Sequence, residues 1–201
     1  MRVALGLRAM RGGAAIVAVG VEGGEPQLFL SSFLVTADDG DRLSREPYHV
    51  AAEFAAAGAA GEAERAVAEG RTRQGALAAA GLEAVTLGLR ARGAAPAIAA
   101  LLVNRAGWVT DLLAYSLASP DHPPVAEGLA VRDALRFGLG KVGLDIVEID
   151  EKSLGPRAAE ALGRAPSDID AQLKRLGGDA GKPWRKEQKA ACLAAWLAAA
   201  G

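Results

Sequence analysis

Three β-favouring runs at the amino terminus, separated only by glycine-marked turns, limit the fold of this chain more than any other feature. Residues 2–7 (Arg-Val-Ala-Leu-Gly-Leu) form the first, which stops before Arg11-Gly12-Gly13. Residues 15–21 (Ala-Ile-Val-Ala-Val-Gly-Val) form the second and stop at Gly23-Gly24. Residues 27–36, with Leu28, Phe29, Leu30, Phe33, Leu34 and Val35, form the third. Strands joined by turns this short run antiparallel, so the segment predicts a three-stranded meander.

After the acidic loop Asp38-Asp39-Gly40-Asp41 the pattern changes. Residues 48–92 are rich in alanine and predict helix, with interruptions near Gly58, Gly61 and Gly70. Pro96 opens a continuous apolar run over 97–103 that predicts a fourth strand buried on both faces and ending at Asn104-Arg105. Residues 108–118 predict a short helix, and the proline-rich 119–124 a rigid loop. In the helix predicted over 125–141, Val125, Gly128, Leu129, Val131, Leu135 and Leu139 share one arc. Glu127 and Asp133 fall outside that arc and read as solvated. Residues 144–149 predict a fifth strand before Asp150-Glu151-Lys152, and the rest reads as helix, broken at 177–183 before a final helix over 184–200. Strand-helix-strand units imply parallel pairing. The expected architecture is α/β, with an antiparallel meander plus parallel strands in one mixed sheet, flanked by helices and forming one domain over 1–201.

Composition removes several alternatives. A chain with 51% hydrophobic residues is not disordered, and the lone Cys192 allows neither an intramolecular disulfide nor a Cys-rich zinc cluster, which suits a reducing compartment. The 23 Lys+Arg against 24 Asp+Glu give no bulk electrostatic drive toward nucleic acid or an anionic membrane. Arg8 and Arg11 interrupt the amino-terminal apolar stretch, so it does not read as a secretory signal. No run approaches the ~20 apolar residues of a membrane span. The expected location is cytoplasmic, with no membrane partner.

Three stretches carry a family resemblance. Arg2-Val3-Ala4-Leu5-Gly6-Leu7-Arg8 is similar to a first strand that runs apolar-Gly-apolar-Asp. Ile149-Asp150-Glu151-Lys152-Ser153-Leu154 is similar to an Asp-Glu-Arg-Leu segment entering a helix, here with Ala158, Ala159, Glu160 and Leu162. Glu187-Gln188-Lys189-Ala190-Ala191, ending in Trp196-Leu197, is similar to a closing helix with an Asp-Lys-Ala-Ala pattern. Together with the element order, these make the chain resemble the ribonuclease H-like superfamily, on its YqgF and RuvC branch of Holliday-junction-resolvase-like proteins. That branch implies carboxylates holding two divalent ions, Mg²⁺ or Mn²⁺, for phosphodiester cleavage. The resemblance puts Arg8 where the first-strand acid is expected, Asn104 at the end of the fourth strand and Gln188 on the closing helix, which leaves Asp150 and Glu151 as the candidate catalytic carboxylates.

The residues themselves allow two readings each. Asp150-Glu151-Lys152 either faces the crevice at the carboxyl ends of parallel strands or is an ordinary charged turn. Arg8 either binds an anion or pairs with Glu151 or Asp150, and the pairing is the preferred reading because it neutralises clustered carboxylates. Arg132, inside the apolar arc, needs a carboxylate or phosphate partner unless it snorkels to solvent. Lys182-Pro183-Trp184-Arg185-Lys186 combines cations with an aromatic, as a phosphate and base contact or as a solvated helix start. Asp38-Asp39-Gly40-Asp41 lacks the spacing of a calcium loop, His49 and His122 suggest no triad, and the glycines after the second strand form no phosphate loop.

The functional expectation is a non-catalytic ribonuclease H-like protein that binds nucleic acid or a protein partner through Arg8, Asn104, Arg132, Lys152 and Gln188, with no cofactor and no metal site. One alternative is a metal-dependent nuclease, using Mg²⁺ or Mn²⁺ on carboxylates at unaligned positions such as Glu53, Asp111, Asp133, Asp150 and Glu151. The other is a structural or homo-oligomerising module built on the alanine-rich helices. The 4% aromatic content argues against a base-stacking platform.

Overall fold

The computed structural model describes residues 1–104 and 108–201, so Arg105, read above as part of the turn after the fourth run, lies outside it. The meander is present as β1 (Arg2–Met10), β2 (Gly13–Glu22) and β3 (Glu25–Val35). Its turns are made by Gly12, Gly23 and Gly24, all at positive φ. Antiparallel pairing runs from Arg2 opposite Val21 to Met10 opposite Gly13, and β3 pairs on the outer side of β2. Strands β4 (Pro96–Val103) and β5 (Asp145–Asp150) add in parallel beyond β1, giving the order β3-β2-β1-β4-β5. The mixed sheet is flanked by α1 (Arg42–Arg45), α2 (Pro47–Ala56), α3 (Ala60–Ala91), α4 (Leu112–Leu117), α5 (Pro123–Lys141), α6 (Leu154–Leu162), α7 (Pro166–Ala180) and α8 (Lys186–Ala200). No described helix is long and apolar enough to cross a membrane.

The period-2 alternation of β1 divides the core. Val3, Leu5 and Leu7 face α3 and α5, where they meet Leu82, Leu89, Leu135 and Leu139. On the other face Val17, Val19, Ala100 and Ile149 pack against Leu193 and Trp196 of α8. The alternate residues Ala4, Gly6 and Arg8 therefore point to the α8 side. At Gly6 the helix backbone lies directly on the strand, since an added Cβ would stand 1.8 Å from the Ala191 carbonyl oxygen. Cys192 is buried in this layer, and burial pushes its thiol up to about 12, leaving it protonated and unreactive at neutral pH.

Three local expectations change. Helix α3 is unbroken at Gly61 and Gly70, because Gly70 is the contact point where Pro47 and the Leu43 carbonyl press on the helix. Helix α7 runs through Gly177 to Ala180, and the absent side chain there makes room for the Trp184 ring. Glu127 is buried, only 8% exposed, whereas Val125 is 42% exposed. The interior stripe of α5 is its small-residue face, with Ala126, Ala130, Ala134 and Gly138, which lets α2 and α3 approach. Val131, Leu135 and Leu139 of the expected arc are buried beside this stripe, while Val125 stands outside it.

Glu127 Oε1 accepts the backbone N–H groups of Tyr48 at 2.8 Å and His49 at 3.2 Å. It thereby satisfies first-turn donors of α2 that the Glu46 side chain leaves uncapped. Burial pushes its carboxyl up to about 7, with the two N–H bonds opposing the rise. The folded state thus holds a proton between the usual glutamate range and pH 7 that the unfolded chain releases. Stability accordingly falls as pH rises through that window. Glu127→Gln keeps an acceptor but no titrating proton. Urea unfolding from pH 5 to 8 should lose about 2 kcal/mol in the native chain and almost none in the variant. Parallel curves would mean that Glu127 does not titrate in this window.

Candidate functional site

The carboxyl ends of β1, β4 and β5 lie side by side in the parallel half of the sheet, with α8 on one face and α5 on the other. Ligands of α/β sheets bind outside such strand ends. Arg8, near the end of β1, donates from Nε to Glu151 Oε1 at 2.8 Å, the ion pair expected from the sequence. Its Nη1 lies 3.5 Å from Glu187 Oε1 on the first turn of α8. The side chains of Arg8 and Glu187 are only 22% and 13% exposed, so water screens this pairing less than it would a surface ion pair. One guanidinium therefore bridges carboxylates from two elements.

Across the strand ends, Arg132 Nη1 donates to Asn104 Oδ1 at 2.8 Å. The partner is an amide and not a carboxylate. Arg132 Nε is buried with no hydrogen-bond partner. Burial, and after it the neighbouring Arg136 charge, pushes the Arg132 guanidinium below its usual range. Arg136 is held by Glu148 at 2.6 Å and Asp133 at 2.8 Å, and Asp133 also takes Arg71 at 3.0 Å. Arg71, Arg132 and Arg136 line a cavity of about 720 Å³ with Asn104 and Trp108. Trp108 is 70% exposed and meets Tyr115 edge-on at 5.6 Å. Asp133 and Glu148 also line the cavity and offset Arg71 and Arg136, so among the described residues its wall carries one guanidinium with no carboxylate partner, Arg132, and one presented indole.

The structure brings Arg8, Asn104, Arg132, Asp150 and Glu151 to one end of the sheet. Asp150 Oδ1 accepts the Lys152 N–H at 3.1 Å, which shapes the turn, and Lys152 is exposed on it. Gln188 turns inward, where it is 7% exposed and accepts the Arg185 N–H at 3.1 Å, so it closes the first turn of α8. Glu187, one residue earlier, is the acidic side chain of α8 that reaches the cleft, and its position beside a basic Lys186 gave no sign of that role. The other acids considered at unaligned positions are held by partners of their own. Glu53 pairs with Arg42, Asp111 caps α4 by accepting the Ala114 N–H, and Asp133 joins the arginine ladder. Among the described residues no three His, Cys, Asp or Glu side chains group as a metal site. In the 182–186 segment, Trp184 donates its indole N–H to the Leu173 carbonyl at 3.0 Å and is a packing residue.

No protein-family model and no curated protein sequence matches this chain. Solved structures do. RuvC from Thermus thermophilus superimposes with a TM-score of 0.55 over 98% of this chain and 93% of that one, at 13% identity. The same organism's RuvC in complex with a Holliday junction substrate gives 0.53 over 98% and 92%, at 9% identity. The chain has a ribonuclease H-like fold. In this fold the crevice above β1, β4 and β5 is here organised around a guanidinium, with acidic side chains from the β5 turn and α8 gathered on it.

Proposed function

We propose that this chain is a non-catalytic ribonuclease H-like protein that binds nucleic acid through the cleft of Arg8, Arg132, Asn104 and Lys152. The observation that carries the reading is Arg8 between Glu151 and Glu187. Two divalent ions, Mg²⁺ or Mn²⁺, need converging hard oxygens with no competing cation. These residues do not fit such a pair, because Arg8 supplies the positive charge and takes up the carboxylates that would ligate it. Arg132, bonded to an amide and not to a carboxylate, is the guanidinium free to hold a phosphodiester by charge-assisted hydrogen bonds without a metal, and Trp108 offers a face on which an unpaired base can stack. The junction bound by the Thermus thermophilus RuvC supports a branched substrate.

The test is fluorescence anisotropy with a four-way junction, a duplex and a single strand, all carrying 5′-hydroxyl ends, in EDTA over 50–200 mM salt. The junction should bind most tightly. Arg132→Ala should weaken it about tenfold and lower the slope of log affinity against log salt by about 1. Absence of binding to all three forms at low salt would remove nucleic acid as the ligand and leave the cleft to a protein partner.

A further inference from the structure

A second pocket lies between the β1–β2 turn, α1, α2 and α5. It encloses about 340 Å³ and is lined by Arg11, Arg45, Glu46, His49, Glu127 and Val131, among others. Beneath it, Glu127 Oε1 faces His49 Nδ1 at 3.3 Å, and Glu127 Oε2 is buried with no hydrogen-bond partner. A carboxyl oxygen at Nδ1 favours the tautomer protonated there and leaves Nε2 as the accepting nitrogen. The other charges around the pocket are distributed unevenly. Glu46 is taken up by Arg42 at 2.8 Å, so Arg11, at 3.5 Å from Glu46 and 78% exposed, is weakly held. Arg45 is held by the exposed Asp39 at 2.7 Å, and Glu53 is bound by Arg42. The unspent cationic capacity is therefore Arg11 and the remaining donors of Arg45.

We propose that this pocket binds the terminal phosphate of a monoester, with Arg11 and Arg45 contacting its oxygens and His49 Nε2, unprotonated in that tautomer, accepting a hydrogen bond from the phosphate's P–OH. Glu127 is a positioning residue that acts through His49. The inference does not rest on the cleft reading, because a monoester phosphate is absent from the 5′-hydroxyl junction that tests the cleft.

The test uses ¹H–¹⁵N imidazole spectra of the full chain, titrated with inorganic phosphate, a 5′-phosphorylated oligonucleotide and its 5′-hydroxyl counterpart. Phosphate should shift His49 Nε2 saturably and leave His122 unmoved. Arg45→Ala should weaken this about tenfold. Gly128, where an added Cβ meets nothing within 4 Å, offers a variant that fills the pocket without touching its charges. Gly128→Met should abolish the shift while the chain stays folded. Glu127→Gln should change the His49 tautomer signature, a readout that simple helix capping would leave alone. A response to the phosphorylated oligonucleotide and none to the hydroxyl form identifies a nucleic-acid end, and a response to inorganic phosphate alone identifies a small monoester. An unmoved His49 with every probe, or undiminished binding in Gly128→Met, would overturn the proposal.

Discussion

Gly6→Ala should lose about 4 kcal/mol or more of stability, a large share of what a domain of this size possesses. The introduced methyl would stand 1.8 Å from the Ala191 carbonyl oxygen and 2.8 Å from the Ala195 nitrogen. Both obstacles are α8 backbone, so no rotamer change relieves the clash and the whole helix must lift. That helix carries Leu193 and Trp196 into the sheet and Glu187 into the cleft. Overpacking against side chains that can shift is typically destabilising by 1–3 kcal/mol, and a fixed backbone yields less. Urea unfolding followed by circular dichroism measures the effect. Gly128→Ala is the control, expected to be neutral or to stabilise by about 0.5–1 kcal/mol because the helix gains alanine in open space. A native midpoint for Gly6→Ala would mean that α8 is not seated on β1.

Arg8→Asp should make the cleft bind divalent ions. The substitution removes the guanidinium shared by Glu151 and Glu187 and puts a third carboxylate beside them. In EDTA the variant should be less stable than the native chain by about 1–3 kcal/mol, since partly buried acids then repel one another unpaired. Millimolar Mn²⁺ should restore about 2 kcal/mol by binding the folded state alone. The native chain should show no Mn²⁺-dependent rise in Tm. Equal stabilisation of both proteins would place the ion somewhere other than the Arg8 cluster.

The strand order was legible because it is written at period 2 and punctuated by glycine, and both signals are local. Helix limits were less legible where glycine acts in packing. Gly70 and Gly177 look like breaks in the sequence, yet each lies inside a helix and accommodates a neighbour, Pro47 in one case and Trp184 in the other. The Arg8–Glu151 pair could be anticipated because strand ends in a parallel sheet converge. Glu187 was hidden because a shift of one position on α8 exchanges a cleft-facing side chain for the inward Gln188. Glu127 was hidden because Ala126, Ala130, Ala134 and Gly138 extend the inner face of α5 beyond Val131, Leu135 and Leu139, and Glu127 lies among these small residues. Sequence hydrophobicity undercounts such faces, since close backbone approach buries area that small side chains do not advertise.

Arg8 holds the carboxylates of the cleft, so junction binding should need no divalent ion. The most direct measurement incubates a four-way junction with the native chain in EDTA and in Mn²⁺, reading anisotropy for binding and a denaturing gel for cleavage. The same affinity is expected in both buffers, with an intact junction in Mn²⁺. Binding that requires Mn²⁺, or strand cleavage in its presence, would contradict it.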